Sequence, residues 1–186
     1  MDLNFNIIID ILLIILIIVS SFMIYGYNAL IQRRNDVEKS ESDIQIYLEK
    51  RFDLVPNLVE VVKGYTKHEQ KAIEDVTKAR ESYGGGKFNV TDIDAADKSI
   101  SRFVAITENY PDLKANTEYM NLSQKLSKIE DEIGHVRRVY NRTATDYNTK
   151  VQTVPFSLVA KIFNFKKKDL FKVKSEEERE PVKVKL

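Results

Sequence analysis

The stretch LNFNIIIDILLIILIIVSSFMIYGY, Leu3 to Tyr27, decides what class of protein this is. It is almost wholly apolar, and its centre, Ile11 to Val19, is unbroken Ile, Leu and Val. A helix needs roughly 20 such residues to cross a bilayer. The chain after it is polar, patterned and helical in character. The reading is an N-terminal membrane anchor over residues 1–27, a soluble helical bundle over 28–155, and a C-terminal amphipathic segment with a charged tail over 156–186.

Asp10 stands inside the apolar run. At mid-membrane a carboxylate costs about 2.5–3.5 kcal/mol on insertion scales. Near the outer interface the cost shrinks, which places the dry span at about Ile11 to Tyr27. The alternative is that Asp10 pairs with a second protein in the membrane. A cleaved secretory signal requires a basic leader and a small-x-small site. Asp2 is the sole charge before Asp10, and Tyr25, Gly26 and Tyr27 follow the run, so an uncleaved anchor is expected. Tyr25 and Tyr27 suit the headgroup level.

No Lys or Arg precedes the run, whereas Arg33, Arg34 and Lys39 follow it. Basic flanks stay cytoplasmic. The expected topology is a single pass through the cell membrane, a short N-terminus outside and the C-terminal domain in the cytoplasm. The sequence has no cysteine, which is compatible with any compartment. Asn89-Val90-Thr91 and Asn141-Arg142-Thr143 match the glycosylation triplet, which means nothing on a cytoplasmic domain. With 29 basic and 28 acidic residues the formal net charge is +1, which argues against nucleic acid as a partner.

Four amphipathic stretches follow the anchor, and no period-two alternation competes with them before Pro155. The fold class expected is all-α: one transmembrane helix, then an antiparallel bundle of about four long helices. Tyr27, Leu30, Arg34, Val37, Glu41, Ile44 and Leu48 form one stripe of threes and fours. Arg34 and Glu41 interrupt it and are expected to pair with each other or with a facing helix. Pro56 predicts a helix end or kink near Phe52, with Asp53 as a cap for the next helix. That helix would carry Leu58, Val62, Tyr65, Glu69, Ala72, Val76, Ala79 and Tyr83 on one face. Gly84-Gly85-Gly86 closes it as a surface turn, lacking the Lys-Ser/Thr of a phosphate loop. Thr91 and Asp92 look like a cap and early acids, and Ile93, Ala96, Ile100, Phe103 and Thr107 make the next apolar face. Tyr110-Pro111 closes that helix. The last seam runs Leu122, Leu126, Ile129, Ile133, Val136, Tyr140, Thr143, Tyr147, Val151 and Val154. Internal burial is its simpler use, and self-association through it is the alternative.

Past Pro155, residues 156–163 are an apolar piece expected to cover the end of the bundle. Lys166, Lys167 and Lys168, with Lys172 and Lys174, make a basic cluster before Glu176, Glu177 and Glu178. Two readings stand: lysines on anionic headgroups, or a solvated tail offset by its own glutamates.

The motifs resemble a known family. Tyr27-Asn28-Ala29-Leu30 after a single anchor, Arg51-Phe52-Asp53-Leu54-Val55-Pro56-Asn57-Leu58-Val59, then Lys63-Gly64-Tyr65 and His68-Glu69 are similar to LemA family proteins. So are Tyr110-Pro111-Asp112-Leu113-Lys114-Ala115, Arg137-Arg138-Val139-Tyr140-Asn141, Tyr147-Asn148, Phe165-Lys166, Phe171 and Pro181-Val182-Lys183-Val184. The resemblance implies an anchor with its N-terminus outside and a cytoplasmic helical bundle. It implies no agreed activity and no catalytic set. Ser40-Glu41 departs from a commoner Ala-Trp, and Thr153-Val154-Pro155 from a commoner Phe-Pro.

No enzyme is expected. His68 and His135 are the two histidines. Glu132-Ile133-Gly134-His135 has metal spacing, but a bundle metal site draws such pairs from more than one helix. His68-Glu69 has the wrong spacing to be its mate. No catalytic residue, metal or cofactor is therefore assigned. The expected role is a membrane-anchored adaptor or scaffold working through protein–protein contacts, with the lipid bilayer, an unidentified protein and a second copy of the chain as candidate partners. A structural or regulatory subunit of a membrane complex is the alternative, and a metal-binding enzyme the remote one. Arg51, Asp53, Asn57 and Arg137 are the candidate organising residues, expected in buried or half-buried polar contacts near the helix joint.

Overall fold

The computed structural model describes residues 2–66, 69–83 and 89–171. It is all-α, with an N-terminal apolar helix followed by several packed helices. The helices are α1 (Asp2–Lys63), α2 (Gln70–Tyr83), α3 (Val90–Thr107), α4 (Pro111–Lys114), α5 (Thr117–Gln152) and α6 (Phe156–Ile162). His68, Gly84, Gly85, Gly86 and the tail from Lys172 onward, with Lys174, Glu176, Glu177, Glu178 and the motif at 181–184, lie outside the described residues.

The apolar run and the first amphipathic stripe are one helix. Leu30, Val37, Ile44 and Leu48 are fully buried along it, as their spacing predicts. Helix α1 also passes through Pro56, so of the two outcomes expected near Phe52, an end or a kink that leaves two helices joined, the end is the one overturned. Proline there removes one intrahelical hydrogen bond. Burial of Val55, Leu58, Val59 and Val62 on either side holds the helix together across that gap. Asp53 is accordingly mid-helix and caps nothing. The real end comes at Gly64, whose N–H bonds Val61 O at 3.2 Å in a tightened last turn. Buried Thr66 finishes it, its hydroxyl donating to Val62 O at 3.2 Å.

Helix α3 buries Ile93, Ala96, Ile100, Phe103 and Thr107, the five positions its periodicity predicts. Its cap is Asn89, not Thr91: the Asn89 side chain accepts from Thr91 N–H at 2.9 Å. Asp92 lies in the first turn, where a carboxylate favours the helix dipole. Helices α2 and α3 pack on each other. Pro111 opens α4, and its Leu113 is fully buried. Helix α5 buries Leu122, Leu126, Ile133, Val136, Tyr140 and Tyr147 of the expected seam, with Ala144 in place of Thr143. The seam stops before Val154, which is 80 % exposed because α5 has ended at Gln152.

Contacts divide the chain into two units. One comprises Met1–Ser40 with Tyr140–Asp169, the other Glu41–Val139 with Leu170–Leu186.

Candidate functional site

The second unit is organised around a buried cation. Arg51 sits on α1 one residue before the buried Phe52, and is itself 1 % exposed. A guanidinium in that position needs more than one carboxylate to offset its desolvation. Helix α3 supplies Asp97, with Oδ1 at 2.7 Å from Arg51 Nη2. Helix α5 supplies Glu130, whose two carboxylate oxygens accept from Arg51 Nη1 at 3.0 and 3.3 Å. Arg137, two turns further along α5, donates to the other oxygen of Asp97 at 2.6 Å. Its guanidinium lies 4.8 Å from the Phe171 ring centroid. Two arginines and two carboxylates thus balance, and one cluster joins α1, α3 and α5.

Of the four organising residues proposed from sequence, Arg51 and Arg137 come together through Asp97. Asp53 and Asn57 do not join them. Both are exposed, because they fall about 200° and 240° around α1 from Arg51. Asn57 instead borders a surface cleft with Glu60, Tyr65 and Asn116. Asp97 and Glu130 are the partners that sequence reasoning missed. The signal for Asp97 is its place beside Ala96, on the rim of the α3 apolar face.

The other motif residues tie segments together. Tyr110 donates to Glu69 Oε1 at 3.0 Å, and Asn116 Nδ2 donates to the Tyr65 hydroxyl at 3.0 Å. The carboxylate acceptor, then desolvation, raises the Tyr110 pKa above the ordinary tyrosine value. Asn116 also caps α5, its Oδ1 accepting from Tyr119 N–H at 2.9 Å. Glu132 and His135 are exposed, and no group of three metal-binding side chains converges among the described residues.

In the first unit, α5 holds the segment after α6. Tyr140 donates to Asp169 O at 2.7 Å and Tyr147 to Lys166 O at 3.0 Å. Asn148 clasps Lys168 at both backbone groups, each at 2.8 Å. Lys166 and Lys167 are exposed and Lys168 is half-buried, so the basic cluster is pinned by its backbone and leaves two charges in the open. Burial raises the Tyr147 pKa; Arg34 opposes that shift and Glu38 adds to it. Arg34 pairs with Glu38 at 3.4 Å, one turn on. Ser40, one of the sequence departures, is buried and bonds Asp36 O at 3.0 Å and the Thr143 hydroxyl at 3.2 Å.

The same unit seats α6 on the end of the apolar run. Val159 and Ala160 are buried with Leu30, and Phe22, Met23, Val151 and Phe165 pack around them. Phe156 lies 6.3 Å from both Phe22 and Tyr25 by ring centroids. Tyr27 lies 4.8 Å from Phe163 and 5.7 Å from Phe165. The approach depends on Gly26: a Cβ there would stand 2.8 Å from Val159 Cγ2.

Known proteins resemble this chain over most of its length. A model of the LemA family matches residues 40–186. The chain is 29 % identical over 150 residues to Protein LemA of Metamycoplasma hominis, covering 78 % of this chain and 66 % of that protein. It is 22 % identical over 178 residues to Magnetosome protein MamQ of Magnetospirillum gryphiswaldense, covering 80 % and 65 %. It is 21 % identical over 181 residues to Magnetosome protein MamQ 1 of Paramagnetospirillum magneticum, covering 82 % and 66 %. The chain spans just under two thirds of the length of these relatives. The matched region takes in Arg51, Tyr65, Tyr110, Arg137, Tyr147 and Asn148, whose contacts hold both units together internally, and the chain belongs to the LemA family.

Proposed function

We propose that this chain is a membrane-anchored scaffold or adaptor, non-enzymatic, whose helical domain faces the cytoplasm and works through protein–protein contacts. The observation that carries the proposal is the continuity of α1. One helix contains both an apolar run long enough to cross a bilayer and the buried stripe of the packed domain. A partner held by the domain is thereby kept at the membrane, and its effective concentration for other membrane proteins rises. Arg33, Arg34 and Lys39 after the run, with no Lys or Arg before it, support the cytoplasmic side. The non-enzymatic part of the proposal draws support from the ion cluster, where each charge is taken up by an opposite one in tying three helices together.

Crosslinking in intact cells followed by identification of the adducts tests it. Capture of a distinct protein supports the adaptor, and exclusive self-adducts contradict it. A second reading, a subunit of a membrane complex, has one specific support. Asp10 is exposed on α1 among exposed Ile7, Ile8, Ile9 and Ile11, a position where a carboxylate profits from a partner inside the membrane. Loss of the main adduct in Asp10→Leu, with Arg51→Met still capturing it, favours that reading.

A further inference from the structure

Helix α6 has two faces of different fate. Val159 and Ala160 are buried against α1, while Leu158 and Ile162, one turn apart, are 60 % and 65 % exposed. Val154 before the helix and Phe163 after it are exposed as well. This apolar surface belongs to a short segment held firmly in place, so its exposure is built into the fold.

The position of α6 along α1 says what covers that surface. A hydrocarbon core about 30 Å thick takes up roughly 20 helical residues. A window of that length starting anywhere from Leu3 to Ile11 ends between Phe22 and Leu30. Those are the turns that α6 touches: Phe22 and Tyr25 meet Phe156, Gly26 meets Val159, and Leu30 shares a core with Val159 and Ala160. A segment packed on the place where a span leaves the hydrocarbon is itself at the depth of the lipid interface. The exposed flank of α1 beside it, Ile24 and Tyr25, is apolar and aromatic in the same way. Lys161, Lys166 and Lys167 are exposed on the same docked segment. Long cationic side chains bury their stems and carry their charge to headgroup phosphates.

We infer that α6 is an interfacial membrane element: Leu158 and Ile162 lie in the acyl-chain boundary of the leaflet, with Lys161, Lys166 and Lys167 directed to anionic headgroups, and the occupant of the exposed face is lipid. The inference rests on the reading of α1 as a membrane span, and one experiment separates the two. The natural chain has no cysteine, so single labels can be placed without background. Full-length Ile17→Cys, Leu158→Cys and Ile162→Cys are labelled with an environment-sensitive fluorophore. Each is reconstituted at high lipid-to-protein ratio into phosphatidylcholine–phosphatidylglycerol vesicles, with and without lipids brominated near the glycerol or deep in the chain.

The expected result is a blue-shifted label at 158 and 162 that loses most of its emission to the shallow bromines, and a label at 17 quenched by the deep ones. Water-like, unquenched emission at both 158 and 162, with 17 quenched, overturns the α6 inference and leaves the span standing. Blue-shifted but unquenched emission at 158 and 162 identifies a protein surface there, such as a second copy, and also overturns it. No quenching at 17 overturns the span and the inference together. Two label sites guard against disturbance of one, and circular dichroism matching the unlabelled chain shows that α6 docking variants are folded.

Discussion

Arg51 Nη2 and Asp97 Oδ1 stand 2.7 Å apart, linking α1 to α3 at a point where the arginine is 1 % exposed. Asp97 is shared, because Arg137 holds its other oxygen at 2.6 Å. The two ends of this pair are therefore unequal. Asp97→Ala leaves buried Arg51 with Glu130 alone and takes away the carboxylate that Arg137 holds, and is expected to cost about 3–5 kcal/mol. Arg51→Met keeps the length of the stem and leaves Asp97 paired with Arg137, so its cost is expected to be nearer 1–2 kcal/mol. Urea unfolding of the full chain in detergent micelles measures both. Equal costs would contradict the shared-carboxylate arrangement.

Gly26 and Val159 provide a packing test. Gly26→Ala gains about 1 kcal/mol of helix propensity. It also places a Cβ at 2.8 Å from the stiff Val159 side chain, and overpacking of that kind costs about 1–3 kcal/mol. The expected outcome is looser docking of α6, read as faster tryptic cleavage after Lys161. Val159→Ala in the same chain removes the clash and is expected to restore protection.

Tyr147 gives an alkaline signature. Its folded pKa is raised by burial above the ordinary tyrosine value of about 10. The folded state therefore holds the phenol proton more tightly than the unfolded chain does. The associated stability is full below about pH 10 and is lost as pH rises through the folded value. Tyr147→Phe is expected to lose about 1 kcal/mol at pH 8 with the hydrogen bond to Lys166 O. Its melting temperature is then expected to fall less steeply than the natural chain's between pH 10 and 12. Parallel curves would contradict a buried, protonated Tyr147.

Asn148 clasps the basic segment at two backbone groups of Lys168. Asn148→Ala is expected to free the stretch around Lys166, Lys167 and Lys168 for trypsin while shifting the urea midpoint little. Unchanged cleavage would show that the segment is held chiefly by Phe165 and the tyrosine contacts.

Periodicity made the interior of these helices legible and their ends much less so. The five-residue face of α3 and the α5 seam up to Tyr147 are repeats of one helical turn; burial follows the α3 face at every position and the α5 seam except at Ile129 and Thr143, which are half-buried. Helix ends depend on competing local terms. Pro56 costs one hydrogen bond, which packing on both sides outweighs, whereas Gly64 and Thr66 together provide an actual terminus. Asn89 outranks Thr91 as a cap because its side chain reaches two residues ahead. In the candidate site, Arg51 and Arg137 were legible because each stands in a motif that resembles the LemA family. Asp97 and Glu130 were not, because each lies at the edge of its helix face and acquires its role from a helix distant in sequence. Asp53 and Asn57 share a motif with Arg51 but not its side of α1.

The proposed anchoring of the domain by α1 on the cytoplasmic side of the membrane is open to a direct test. Glu132 is exposed and the chain carries no cysteine, so Glu132→Cys gives a single reporter. The account predicts that a membrane-impermeant maleimide leaves this cysteine unlabelled in intact cells and labels it after permeabilisation, with the protein remaining in the membrane pellet through alkaline carbonate extraction. Labelling in intact cells, or recovery of the full-length chain in the carbonate supernatant, would contradict it.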